Sequence, residues 1–349
     1  MFKSKTVIVV GAGASCEAGL PSGEDIKGHI SQLLDIRFDT ISRQISGDNH
    51  ICDALRAVAQ RDGERSINPY LHKAWRIRDV VPTAISIDNF LDAHRGDRTM
   101  ELCGKLGIVK SVLNAERKSV LMGRRDDDHK FVTRDIVRSW YVGFRNMLTE
   151  NVASQDAATI FDNVTIITFN YDRCIEKFLA QGVQEYYELT DNETEGLMEK
   201  LPIFHPYGKV GSLPKPGSQN AVPFGTDRVD LLKVAEQIKT FTEGMDDEVM
   251  LARMHDAIID AETLIFLGFA FHPINMQLLT PGSETGIKRV FATTLGLSDA
   301  DEAVIEDDIL RMIGKDHWAF TERPRPDMAK LKCGDFFREY FRSLSAPAD

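Results

Sequence analysis

Three polar stretches, each just past an apolar run, carry the residue types able to do chemistry. The first is Gly11-Ala12-Gly13-Ala14-Ser15, after Thr6-Val7-Ile8-Val9-Val10. The second is Asn170 with Asp172, after Val164-Thr165-Ile166-Ile167-Thr168-Phe169. The third runs from Gly268 and Phe269 to His272, after Thr263-Leu264-Ile265-Phe266-Leu267. A strand, a glycine turn and a helix start make an anion cradle, because free backbone N–H groups and the positive helix end face a phosphate. Gly11 and Gly13 admit a ligand close to the backbone, and Ser15 suits a helix N-cap. A dinucleotide is the usual guest of such a turn. Gly-x-Gly is a weak signal by itself, and Cys16 stands where a third glycine is expected. Ligands of doubly wound folds sit beyond the carboxyl ends of the strands, so the three stretches together predict one composite site.

The elements that must position these residues follow from the pattern. Apolar runs without alternation read as strands covered on both faces, the habit of parallel sheets. Strands alternate with helices, which predicts an α/β protein with a doubly wound, Rossmann-like parallel sheet and a large helical insertion. Within the insertion, Glu24–Asp35 and 99–122 read as helices, and 133–148 as an amphipathic helix whose Trp140 and Phe144 belong to the core. Residues 37–80 read as polar and irregular with short helical pieces, and Ser86 or Asp88 as a helix cap. The cluster Gly123–Asp128 reads as a loop. Such a length between strands is too great for one crossover helix. Beyond it, a helix is expected over Arg173–Gln181 with Asp172 as cap and Gly182 as stop, then a short extended run at Leu201–Gly208 and a loop over 212–225. Helices are expected again over 229–241, 246–260, 300–313 and 335–344, with a strand at Lys288–Thr293 and a frayed tail at Ser345–Asp349. The expected division is 1–23 with 156–325 as the nucleotide-binding core, 24–155 as the helical lobe, and 326–349 as a C-terminal helix and tail.

Composition excludes several classes of function. The net charge of −11 argues against a dedicated nucleic-acid binder, whose affinity would come from neutralising phosphates. Basic stretches at Lys110–Lys118 and Arg124-Arg125 read as solvated helix faces before they read as a binding patch. No run approaches the roughly 20 apolar residues that span a bilayer. Phe2-Lys3-Ser4-Lys5 leads straight into a strand, so no secretory signal is expected. The five cysteines, at 16, 52, 103, 174 and 333, are scattered and form no Cys-x-x-Cys pair. They fit a reducing cytoplasm, with no zinc ribbon and no resident metal expected.

Taken in order, these stretches resemble the sirtuin family. The matching motifs are Gly11-Ala12-Gly13-Ala14-Ser15 with Gly19-Leu20-Pro21, then Phe169-Asn170-Tyr171-Asp172, then Leu267-Gly268-Phe269-Ala270-Phe271. The chain is most similar to the sirtuin-like proteins of bacterial antiphage defence, which carry Asn-Tyr-Asp and Gly-Phe-x-Phe-His-Pro variants. Ser86-Ile87-Asp88-x-Phe90-Leu91 resembles that branch too. Three features depart from the protein-deacylating sirtuins. Ser22-Gly23-Glu24 replaces their Asp-Phe-Arg, their four-cysteine zinc module is absent, and Tyr207 rather than histidine precedes Gly208. The first two weigh against a deacylase.

The resemblance implies an NAD+ glycohydrolase that releases nicotinamide and ADP-ribose to starve an infected cell. Gly11, Ala12, Gly13 and Ser15 would hold the pyrophosphate, and Gly268 with Phe269 would approach the ribose. Asn170 would orient water or the ribose hydroxyls. Asp172 would favour an oxocarbenium-like cation, or only cap its helix. His205 is the candidate base, with Tyr207 in reserve. Residues two apart in an extended segment share a face, so His205 could reach the same pocket from roughly 7 Å along the strand. The branch also implies a homo-oligomer and a separate protein partner, such as a HerA-type ATPase, an Argonaute or a phage sensor. Two other readings stay open: an NAD-dependent deacylase or ADP-ribosyltransferase, and a non-catalytic nucleotide-binding assembly subunit.

Overall fold

The computed structural model describes residues 1–123, 130–215, 218, 221–317 and 324–348. The loop expected around Arg124–Asp128 lies outside them. Among the described residues the strands are β1 (Thr6–Val10), β2 (Arg37–Phe38), β3 (Gln44–Ser46), β4 (Val164–Thr168), β5 (Ile203–Phe204), β6 (Thr263–Leu267), β7 (Arg289–Thr293) and β8 (Asp327–Ala329). β2 and β3 form a separate antiparallel hairpin, and the other six form one sheet in the order β5-β4-β1-β6-β7-β8. All its pairings are parallel. Counted by position in the chain, that is the 3-2-1-4-5-6 order of Rossmann-like folds, with its switch point between β1 and β6.

Strand periodicity explains why β1 is apolar throughout. Successive side chains point to opposite faces. Val7 and Val9 enter one core, and Ile8 and Val10 enter the other. β6 divides likewise, with Leu264 and Phe266 on one side and Ile265 and Leu267 on the other. The first core is closed by helices α2 (Gly23–Leu34), α3 (Asn49–Arg61), α4 (Asn68–Val80), α5 (Ile87–Ala93) and α6 (Arg98–Lys118). They follow a short α1 (Ala12–Ser15). The second is closed by α7 (Trp140–Thr149), α8 (Cys174–Tyr187) and a C-terminal helix, Cys333–Glu339.

Several elements differ from expectation, each for a local reason. The stretch 37–80 holds two full helices, not short pieces. In α3, Ile51, Cys52, Leu55, Val58 and Ala59 make one buried stripe at helical spacing. In α4, Pro69 sits in the first turn, where the missing N–H costs nothing, and so starts the helix. α7 begins only at Trp140, because Ser139 is extended (φ −73°, ψ 155°). α8 continues past Gly182 and ends at Glu188, whose φ is +55°. The tail is pinned: Ala348 N donates to Ser4 Oγ at 2.9 Å, and Lys288 Nζ donates to Ala348 O at 2.9 Å. The stretch read as C-terminal helix and tail also supplies an edge strand, β8. Among the described residues, no helix is long and apolar enough to cross a membrane.

Candidate functional site at the carboxyl edge of the sheet

Register brings the three polar stretches together. Val10 is level with Thr168 on one side and Leu267 on the other. Gly11 N donates to Leu267 O at 2.9 Å, Phe169 N to Val10 O at 3.0 Å, and Gly13 N to Gly268 O at 3.0 Å. Asn170 Nδ2 donates to Gly11 O at 3.0 Å and to Ser15 Oγ at 2.9 Å. β1, β4 and β6 are thereby tied at their ends by backbone and carboxamide.

The glycines serve this contact before any ligand. A Cβ on Gly11 would stand 2.4 Å from Gly268 O and 2.7 Å from Phe269 Cα. A Cβ on Gly268, whose φ is +53°, would stand 2.2 Å from Ala14 N. Two backbones meet where no side chain fits. The N–H groups of Gly11, Gly13 and Ala14 are taken by the carbonyls of Leu267, Gly268 and Gly11. The expected cradle of free N–H groups is thus largely closed internally, while Gly13 and Cys16 remain exposed and Ala12 half-buried at its mouth. Ser15 does not cap α1; it stands at the N-cap of the short 3-10 turn Cys16–Ala18, without a side-chain capping bond. Gly11 holds that position in α1, and Ser15, buried at the helix end, accepts from Asn170.

Asp172 Oδ1 accepts from Cys174 N, the first N–H of α8, at 3.0 Å, but the N-cap position is Arg173, one residue later than expected. Burial pushes the Asp172 carboxyl above the ordinary range, against the Cys174 N–H, the Ser15 hydroxyl and the Cys174 thiol. Next to it, Arg173 and Glu116 form a fully buried ion pair, and Glu116 Oε2 also accepts from Gly225 N at 2.9 Å. The pair fastens the β4–α8 loop to α6 and to the 222–225 loop.

His205 follows β5, as its spacing suggested, but faces Glu176. Its Nε2 is 3.1 Å from Glu176 Oε1, and its Nδ1 is 3.3 Å from the backbone oxygen of Asn170. Both partners are oxygen acceptors, so neither ring nitrogen faces open space. Lys209 Nζ donates to the same Glu176 oxygen at 2.7 Å. Burial opposes ionisation of Glu176, yet the charges of His205 and Lys209 outweigh it and hold the carboxyl far below its usual range. The Asn170 carboxamide bonds to the glycine turn, and the imidazole meets only the backbone oxygen of Asn170. Tyr207 is buried and donates to Asn275 Oδ1 at 2.6 Å; burial, with Asp88 and Asp92 adding, holds its phenol well above the ordinary value. Ser86 caps α5, and Asp88 accepts from the Tyr171 hydroxyl.

The β6 loop adds a group to which the sequence reading gave no role. Phe271 has φ +53°, a left-handed backbone that a bulky side chain rarely adopts and that clusters at functional sites. Phe269 lies inside an aromatic layer, with ring centroids 5.2 Å from Phe169 and 5.1 Å from Phe271. His272 follows, half-buried, with no hydrogen bond to its ring among the described residues. Burial and the nearby Lys27 ammonium pull its imidazole below the usual value. Lys27 is itself buried and bound to Ala84 O at 2.7 Å. The signals in the sequence were its place in the third polar stretch and the Gly-Phe-x-Phe-His-Pro pattern that Gly268–Pro273 matches.

An open cavity of ≈ 550 Å³ is lined by Gly19, Leu20 and Pro21 and by Asp25, Ser111 and Asn114 of α2 and α6; neither the glycine turn at 11–15 nor Asn170, Asp172, His205, Gly268 or Phe269 lines it. The described residues hold no group of three or more His, Cys, Asp or Glu side chains placed to bind a metal ion. Neither the models of known protein families nor the curated proteins match this chain.

Proposed function

We propose that the protein is an NAD+ glycohydrolase, releasing nicotinamide and ADP-ribose, and that it acts in the cytoplasm as the effector of a bacterial antiphage system. The observation that carries the reading is the Asn170 carboxamide, held at the switch-point edge of a 3-2-1-4-5-6 sheet by Gly11 O and Ser15 Oγ. Its nitrogen is committed to the protein, and its Oδ1 has no hydrogen-bond partner among the described residues. That oxygen is available to a ribose hydroxyl or to water. The motif resemblance supports the same assignment.

The chemistry asks little of an acid. Nicotinamide leaves as a neutral group, so the chain must orient water and favour a cationic ribose. Asn170 Oδ1 orients. Asp172 favours the cation to the extent that it ionises, which burial opposes. A base that accepts a proton needs a free nitrogen. His205 has one only after it releases Glu176 or the Asn170 carbonyl, whereas the His272 ring is unengaged. The glycine turn holds the pyrophosphate at its exposed mouth, Ala12 and Gly13. A homo-oligomer and a separate sensor protein complete the proposed system.

The occupied imidazole and the internally bonded glycine N–H groups favour a second reading, a nucleotide-binding assembly subunit without turnover. One experiment separates the two. Purified chain is incubated with NAD+, alone and with the product of its genomic neighbour, and nicotinamide and ADP-ribose are quantified. Their stoichiometric release, abolished in Asn170→Ala, supports hydrolysis. ADP-ribose binding with no release under either condition supports the second reading. Acetyl-ADP-ribose formed from an acetylated peptide would instead indicate a deacylase.

A further inference from the structure

Glu17 comes directly after the glycine turn, in the short 3-10 turn Cys16–Ala18. Its two oxygens are taken by two different helices. Trp140 N, at the start of α7, donates to Oε2 at 2.7 Å, from 123 residues away. Gly334 N, at the start of the C-terminal helix, donates to Oε1 at 2.9 Å, from 317 residues away. Neither helix has a side-chain cap of its own at Ser139 or Lys332. One carboxylate therefore satisfies orphan donors at both starts, with the positive ends of two helices facing it. Two more bonds hold the same turn from behind: Trp140 Nε1 to Ala14 O at 2.9 Å, and Ser119 Oγ to Ala18 O at 2.6 Å. Gly334 makes the approach possible, since a Cβ there would stand 2.1 Å from Arg138 O.

We propose that Glu17 is the positioning residue of the glycine turn, coupling its shape to the docking of the C-terminal helix. The coupling to substrate rests on the turn being the NAD site. The physical reason is that, among the described residues, no other side chain of the turn bonds to both helices. α1 is four residues long and has no side-chain cap, so its orientation is set by bonds to neighbouring elements: β4 and β6 hold its start, and Trp140 and Glu17 hold its far end. A bidentate acceptor immediately downstream fixes it against two helices at once, one of which belongs to the last part of the chain. The C-terminal segment, remote in sequence, thereby sets the geometry of the turn.

The test is Glu17→Gln, with Glu17→Asp as the conservative companion. A glutamine accepts one N–H through its oxygen but turns an amide donor toward the other helix. Glu17→Gln is expected to raise KM for NAD+ about tenfold or more, the scale of one lost charge-assisted bond, while kcat changes much less. Glu17→Asp should fall between Gln and the native residue. Hydrogen exchange, measured without nucleotide, should quicken in both Ala12–Ala18 and Cys333–Ser345 of Glu17→Gln. An unchanged KM in an active protein, or quickened exchange confined to the C-terminal helix, overturns the proposal. Should Glu17→Gln fail to fold, Gly334→Ala presses the C-terminal helix off Glu17 from the other side and must quicken exchange in the turn; protection there as in the native chain overturns the proposal. If the native chain neither binds nor cleaves NAD+, the enzymatic reading falls while the exchange result still decides the coupling.

Discussion

The carboxamide nitrogen of Asn170 lies 2.9 Å from the hydroxyl of Ser15, joining residues 155 apart in the chain. A second bond from the same nitrogen reaches Gly11 O at 3.0 Å. The end of β4 is thereby stitched to the end of β1 at the place where a Rossmann-like sheet receives its ligand. An amide suits this junction because it donates twice through nitrogen and keeps an oxygen free.

Asn170→Ala removes both donated bonds and leaves Gly11 O and Ser15 Oγ without that partner. The expected cost is about 1–3 kcal/mol of stability, read by urea unfolding. NAD+ cleavage should fall by on the order of 10²-fold or more, the scale of a lost transition-state contact. Asn170→Asp should be as inactive, since it turns an acceptor toward the Gly11 carbonyl. Native turnover in either variant would remove Asn170 from the chemistry.

Gly11→Ala drives a methyl into backbone, not into a side chain that can rotate away. With Gly268 O at 2.4 Å, the two loops must separate. The expected loss is about 1–3 kcal/mol, as for other overpacked sites. Gly13→Ala, whose nearest atoms are 3.0 Å away, should cost less. Equal melting temperatures for Gly11→Ala and the native chain would contradict the close approach of β1 and β6.

His272 ties stability to pH with a definite sign. Burial and Lys27 hold its folded-state value below the ordinary one, so the unfolded chain binds the proton more readily. Its contribution is complete above about pH 6.5 and is lost as pH falls from there toward the folded value. His272→Gln should flatten the fall in the urea midpoint between about pH 7.5 and pH 5 relative to the native chain. Parallel curves for the two proteins would refute the shift. In the enzyme assay, His272→Ala should lower turnover with His205 intact; if only His205→Ala is inactive, His205 is the base and must release Glu176 during the reaction.

The Arg173–Glu116 pair should dominate the stability of the β4–α8 loop. Both side chains are fully buried, and Glu116 accepts from Arg173 Nε at 3.0 Å as well as from Gly225 N. Arg173→Met leaves a buried carboxylate without its cation, at an expected cost of about 3–5 kcal/mol. Restoring neutrality with Glu116→Gln in the same chain should recover part of it. A double variant no more stable than Arg173→Met would show that charge burial is not the cause.

Much of the fold was legible in the residues themselves. Five β-branched residues without alternation require cover on both faces, and glycines at a strand end require a turn; both are local facts. That logic located β1, β4, β6 and β7, the parallel sheet, and the edge at which Gly11, Asn170 and Gly268 meet. It misread 37–80 as irregular, although Pro69 occupies the one helical turn that tolerates it. It also read the tail as frayed, since Ser4 and Lys288, which hold Ala348, are distant in sequence.

Polar partnership was decided only by the tertiary structure. Hydrophobic periodicity is written into neighbouring positions, whereas a hydrogen bond depends on which groups arrive within about 3 Å after the chain has folded. Nothing near His205 in the sequence announces Glu176, and nothing near Glu17 announces Trp140 or Gly334. The sequence alone determined where the sheet ends and which residues gather there; packing settled which of them are already engaged and which stay free to meet a ligand.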